Sequence, residues 1–231
     1  MLKVRGVREM QCRSKQGGFT LIEMAIVLLV IGLLLGGLLT PLSNKIESER
    51  YKESSRELDR IVDALMGYAV ANRRLPCADM DGDGDDGDEA IADCNNEGFV
   101  PWLTLGVGRE DAWGHPIRYR VDASFTSPVA PPVPDPPNTS SNFSIVDRAG
   151  VALSPVNPDA PVVILFSCGN DGLPNGENDA NGAADSATCV NPGAPNPIYV
   201  QDVPDASFDD LLIWLSKNRV LNRMVAAGKW P

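Results

Sequence analysis

The 231-residue sequence is poor in the groups that most catalytic sites need. It holds a single histidine, His115, set between Gly114 and Pro116 beside Trp113, where packing suits it better than proton transfer. No Ser-His-Asp order and no Gly-x-Ser-x-Gly elbow is present. No Cys-x-x-Cys pair occurs, which removes the common zinc frameworks. A phosphate-binding loop is also missing, and the glycine-rich stretches are acidic and would repel phosphate. Positive charge is scarce beyond the first eighteen residues. Lys3, Arg5, Arg8, Arg13 and Lys15 against Glu9 give that leader +4, so a total of −11 leaves −15 for the rest. Such an exterior excludes nucleic acid as the main partner, because phosphate contacts need clustered Lys and Arg. It suits divalent cations. An enzyme is not expected.

What the chain does have is a long apolar run behind a basic leader. Gly17-Gly18-Phe19-Thr20-Leu21-Ile22-Glu23 leads into Met24 to Leu39, and Glu23 is the only charged residue among the 21 from Phe19 to Leu39. As a helix this run is about 31 Å long, enough to cross a bilayer core. A carboxylate that deep in hydrocarbon costs free energy and calls for a partner. A secretory signal has a shorter apolar region with its cut site after it. Here the candidate cut precedes the run, so the helix stays with the mature chain. A plain signal anchor, with Glu23 only complementing the helix dipole, is the simpler alternative. Basic residues before the helix place the N-terminus in the cytoplasm and the remainder outside.

Gly18, Phe19-Thr20-Leu21-Ile22-Glu23 and the run to Leu39 resemble the type IV pilins and the pseudopilins of type II secretion. The resemblance implies that a prepilin peptidase cuts after Gly18 and methylates the new amine of Phe19. It also implies an assembly role for Glu23. The family's helix usually meets a proline, here Pro41, one position later than usual. Asp111-x-Trp113-Gly114-x-Pro116-x-x-Tyr119 is similar to what pseudopilins carry at the start of their sheet.

The sequence divides into a leader, 1–18, a transmembrane half-helix, 19–41, an outer half-helix, 42–74, and an α+β domain, 75–231. Leu58, Ile61, Val62, Leu65, Met66 and Ala69 recur at helical spacing and form one apolar face. One long helix is expected from 19 to about 72, weakened at Gly36-Gly37 and Pro41. It should pack on a small antiparallel sheet with long disulfide-closed loops. Gly98 to Trp102 reads as a turn with large apolar anchors. Ile117, Tyr119 and Val121 alternate with basic residues, as in a strand with those three facing a core. Six prolines within 126–138 mark an irregular surface loop. Asn142 to Val146 reads as a short strand, Val162 to Phe166 as a central one and Leu211 to Leu215 as another. A basic helix follows around Leu221 to Ala227.

Of five cysteines, Cys12 lies in the leader and the other four lie outside, where disulfides persist. Four cysteines allow three connectivities. The sequential pairs Cys77–Cys94 and Cys168–Cys189 each close a polar loop and are the expected ones.

Two loops carry oxygen ligands on alternate positions. Asp79-x-Asp81-x-Asp83-Gly84 is the front half of an EF-hand-type calcium loop, with Asp88 close by and Ala90 where the twelfth-position Glu would stand. Glu177-x-Asp179-x-Asn181-Gly182 repeats the pattern, flanked by Asp171 and Asp185. Resemblance to the major pseudopilins, which bind calcium near their C-terminal strand, carries Asp179, Asp209 and Asp210 over as ligands. Turn preference alone produces similar loops.

These observations point to a pilin-like subunit of an envelope-spanning filament, with a type II secretion pseudopilus as the leading reading. A minor type IV pilus subunit serving adhesion or uptake is the nearest alternative. A membrane-anchored calcium-binding module that never polymerises is the rival from another class. The expected partners are prepilin peptidase, other pilin or pseudopilin subunits, an inner-membrane assembly platform and the membrane itself. The expected location is the inner membrane, single-pass with a periplasmic C-terminal domain, and then a filament in the periplasm or at the cell surface.

Overall fold

The structure, a computed structural model, describes residues 18–86, 94, 96–126, 142–178, 189–190, 197–205 and 207–229; for residues 35–42 and Glu177 it describes the backbone alone. Leader residues 1–17, the proline-rich residues 127–138 and Asp88, Asp179 and Asn181 lie outside these residues.

Helix α1 spans Leu21–Asn72 and is continuous in backbone through Gly36-Gly37 and Pro41. The chain divides at Ile46 into two compact units. In the first, the described side chains from Leu21 to Leu34 are exposed on every side of the helix. Among the described residues no helix is long and apolar enough to cross a membrane.

The second unit is built on a four-stranded antiparallel sheet of order β1-β2-β4-β6, where β1 is Gly98–Phe99, β2 Arg118–Val121, β4 Pro161–Ser167 and β6 Leu211–Ser216. β4 lies between β2 and β6, with Tyr119 opposite Leu165 and Leu165 opposite Ile213. Every residue of β4 is buried, which a run of Val, Ile, Leu and Phe tolerates only when both faces of the sheet are covered. One face is covered by the stripe Leu58, Ile61, Val62, Leu65, Met66 and Ala69, packed with Ile117, Tyr119, Val121, Val163 and Leu165. Each large member of that stripe contributes about 1.5–3 kcal/mol by leaving water. Val220 and Met224 of the C-terminal helix α3, Lys217–Ala226, join the same cluster.

The other face shows what the sequence left out. Strands β3, Ser144–Val146, and β5, Ile198–Val200, pair in parallel as a separate two-stranded sheet. Phe143, Ile145 and Tyr199 from these segments pack with Ile164 and Phe166. The small antiparallel sheet that was expected is present, and this parallel pair is an addition that the sequence did not announce. Arg118 and Arg120, which alternate with the core-facing Ile117, Tyr119 and Val121, are buried in consequence. Arg118 pairs with the Glu97 carboxylate, and Arg120 donates to the Tyr199 hydroxyl at 3.2 Å. Tyr199 in turn donates to Glu97 at 2.5 Å. Buried guanidinium groups are tolerated where planar acceptors and aromatic faces meet them, and Arg120 sits 4.7 Å over the Phe143 ring.

The stretch from Gly98 to Trp102 is not only a turn. It forms β1 and then opens helix α2, Trp102–Leu105. Cys77 is bonded to Cys94, and Cys168 to Cys189.

Candidate functional site

Three places carry the candidate residues. At the start of α1, Thr20 and Glu23 form a reciprocal cap. The Thr20 backbone N–H and hydroxyl each donate to the Glu23 carboxylate at 2.9 Å, and the Glu23 N–H donates to the Thr20 hydroxyl at 3.3 Å. This is the Thr-x-x-Glu capping box, which satisfies helix donors that have no acceptor within the helix. Phe19 is 80% exposed beside it, and Gly18 has open space where a side chain would begin. In this chain the partner of Glu23 is therefore Thr20, a residue that the sequence reading passed over. Its signal was the spacing of Thr20 and Glu23.

The second place is the acidic loop after α1. Asp79 is fully buried, and its two carboxylate oxygens accept the Gly82 N–H at 2.6 Å and the Gly84 N–H at 2.8 Å. Asp81 accepts from Asp83 and Asp83 from Asp85, so the loop turns on successive carboxylate caps. Oxygens of Asp79, Asp81 and Asp83 lie within 4.8 Å of one another, the one such group of three among the described residues. Burial raises the Asp79 pKa, against the pull of its two N–H donors, and Asp81 and Asp83 add to the rise. Asp86 turns the other way. It accepts from Arg74 at 2.8 Å and from the Tyr68 hydroxyl at 3.0 Å, tying the loop to the end of α1.

The third place lies where the chain enters β6. The Asp209 carboxylate accepts the N–H groups of Asn170 at 2.6 Å and Asp171 at 3.0 Å. One oxygen of Asp210 accepts the Asn175 N–H at 2.8 Å and the Asn178 side-chain amide at 2.9 Å. The other oxygen is buried with no hydrogen-bond partner among the described residues. Burial first, then the charges of Asp209 and Asp171, outweigh those donors and push Asp210 up to about 7. Asn178 also grips β5, its amide donating to the Val200 carbonyl at 3.0 Å and its oxygen accepting the Val200 N–H at 2.8 Å. Asn175 and Asn178 were missed by sequence reasoning, because their partners lie 22 to 35 residues away and nothing local announces them.

Both loops offer hard oxygen donors. The test of fit separates them. In the first, both Asp79 oxygens accept backbone N–H groups. In the second, an ionised oxygen of Asp210 would be buried without compensation, which costs free energy that a cation removes.

His115, set aside as a packing residue, is a structural joint. Its Nδ1 lies 2.9 Å from the Gly169 carbonyl, and the His115 backbone N–H donates to the Asp111 carboxylate.

No curated protein and no solved structure matches the chain. Residues 13–39 match the family model described as the prokaryotic N-terminal methylation motif, and with it the chain carries the N-terminal signature of type IV pilins and pseudopilins.

Proposed function

We propose that this chain is a pseudopilin, a structural subunit of a type II secretion pseudopilus. The observation that carries the reading is the methylation motif over residues 13–39, with Glu23 as the one charge in the apolar run. The apolar run from Phe19 to Leu39 anchors the subunit in the inner membrane before assembly. Prepilin peptidase removes residues 1–18 and methylates Phe19. Filament growth then exchanges lipid for neighbouring helices around the same exposed apolar side chains, so the activity is assembly and not catalysis. The Asp111 turn supports the pseudopilin reading, since it seats the outer part of α1: the Ala112 N–H donates to Ser54 at 3.0 Å and Trp113 meets the Tyr51 ring edge-on at 4.9 Å.

Calcium belongs to the same proposal. Asp210 and Asp209 would hold it, with Asp179 and Glu177 as further candidates from the loop, and Asp79, Asp81 and Asp83 as a second candidate set. When bound, the ion supplies positive charge that neutralises clustered carboxylates.

The test is the mass of the mature N-terminus in cells with an active prepilin peptidase. A chain that starts at methylated Phe19 supports the reading, and Gly18→Glu should leave the leader attached. Membrane-extracted wild-type protein that still starts at Met1 would rule it out. Cleaved protein that stays monomeric, and that calcium stabilises, would favour the anchored calcium-binding module.

A further inference from the structure

A continuous path of hydrogen bonds and packing joins the Asp209–Asp210 loop to the outer part of α1. Asp209 holds the N–H groups of Asn170 and Asp171, and its own N–H donates to the Asn175 side chain at 2.8 Å. Gly169, with φ +59°, packs so closely on Asp209 that an added Cβ would overlap the Asp209 carbonyl. The Gly169 carbonyl lies 2.9 Å from His115 Nδ1, and Gly172 packs on the opposite nitrogen of the same ring. His115 is held by Asp111, whose carboxylate also takes the Trp113 N–H at 2.9 Å and the Ser167 hydroxyl at 2.5 Å. From that turn the Ala112 N–H reaches Ser54, which is fully buried on α1, and Trp113 meets the Tyr51 ring edge-on. The same closeness shows in the Tyr51 hydroxyl, pushed up to about 12 by burial first and then by Asp209, Glu47, Asp171 and Asp210.

We propose that His115 and the Asp111 turn are positioning residues that relay the state of the 168–178 loop to Tyr51 and Ser54 on α1. On this view the cation reading of Asp210, on which the regulatory sense of the relay rests, has a structural output. A loop closed on its cation holds the turn against the helix, and an open loop frees it. Coupling of this kind needs one element with two arrangements that both sites bias, and the proposal assigns that part to loop 168–178. Its hydrogen bonds run to the helix-side turn at one end and to the carboxylates at the other.

The experiment is amide hydrogen exchange on the full chain in detergent micelles, with millimolar calcium and with chelator. Calcium should slow exchange at Asn170, Asp171 and Asn175, and should slow Ala112 and residues 51–58 by about fivefold or more, the low end of typical coupling. His115→Phe keeps the ring volume and removes Nδ1; it should leave the loop response intact and abolish the response at Ala112. His115→Asn, which returns an N–H donor near the Nδ1 position, should restore part of it. Slowing confined to the loop in the wild type would overturn the relay while leaving the cation reading in place. If calcium changes neither region, the cation reading fails, and two variants decide the relay without metal. Asp209→Asn weakens the grip on Asn170 and Asp171. Gly172→Ala puts a methyl 2.8 Å from His115 Nε2. Faster exchange at Ala112 in both variants supports the relay. Exchange unchanged at Ala112 while the loop loosens overturns it.

Discussion

From Leu21 to Leu34 the apolar side chains of α1 point to every side, and Leu21, Leu28 and Leu33 are 92%, 65% and 70% exposed. From Leu58 to Ala69 on the same helix they form one stripe, and none of the six exceeds 6%. Hydrophobicity is common to both regions, so it is not what separates them. Periodicity is. A stripe at helical spacing needs one partner surface, which the sheet supplies within the chain. A surface that is apolar all round needs covering on every side, and among the described residues nothing in the chain covers it. Lipid and neighbouring helices are the two environments that do. The charges follow the same division: α1 carries Glu23 alone up to Leu39 and a dense mix of signs from Glu47 to Arg60.

The largest expected effect breaks the first region at its one charge. Glu23→Ala should stop incorporation into filaments altogether while leaving leader cleavage and membrane insertion intact. A buried carboxylate between neighbouring helices is useful only if a cation meets it, and the amine of a neighbouring Phe19 is the cation that processing creates. Insertion should even improve, because a charge leaves the apolar run. Normal incorporation of the cleaved variant, counted in sheared filaments beside wild type, would make the role in register wrong.

Next comes a pair of matched truncations, one in each region. Leu65→Ala removes a fully buried side chain from the stripe and should cost about 2–5 kcal/mol of domain stability. Leu28→Ala removes the same atoms where they are exposed and should leave the melting temperature unchanged. Thermal unfolding of the two full-length variants in one detergent checks the contrast. Equal losses would mean that the first region also packs within the chain.

The disulfides should rank with the lower part of that range. Cys77–Cys94 and Cys168–Cys189 close loops with separations of 17 and 21 residues. By chain entropy each stabilises by about 3 kcal/mol. Cys77→Ser with Cys94→Ser should lower stability by that amount and loosen the Asp79 loop without altering incorporation. A fall in incorporation out of proportion to stability would place that loop at a subunit contact.

Much of this is legible in the sequence alone. The stripe Leu58 to Ala69 and the run Val162 to Phe166 follow from local periodicity, and a helix or a fully covered strand is the only local structure that satisfies each. What was illegible depends on distant residues. Alternation assigns Ile117, Tyr119 and Val121 to a core, but nothing nearby tells that Tyr199 and Phe143 will cover Arg118 and Arg120 as well. The parallel pairing of Ser144–Val146 with Ile198–Val200 joins segments more than fifty residues apart. At the second acidic loop the aspartates were visible, but the amides of Asn175 and Asn178 that hold Asp210 were not. Asp111, Trp113 and His115 were noticed as a motif. Their use, seating Ser54 and Tyr51 of α1, appears only when the turn is folded onto the helix.

The smallest expected effect sharpens the Glu23 prediction by separating its two possible jobs. Thr20 and Glu23 cap each other, so part of any Glu23→Ala phenotype could come from a frayed first turn and not from a lost charge. Thr20→Val removes the hydroxyl and keeps the shape. It breaks the bonds made through that hydroxyl and leaves the one from the Thr20 backbone N–H to Glu23. A lost N-cap costs about 0.5–2 kcal/mol, and here the loss is confined to one helix end. Thr20→Val should therefore reduce incorporation only modestly, and Thr20→Ser should restore it. If capping were the whole role of Glu23, Thr20→Val and Glu23→Ala would fail alike. A partial defect in the first against a complete one in the second assigns the difference to the carboxylate itself, free to leave Thr20 for a neighbour's amine. Incorporation of the two variants, measured side by side in cells where both are fully cleaved, makes that comparison directly.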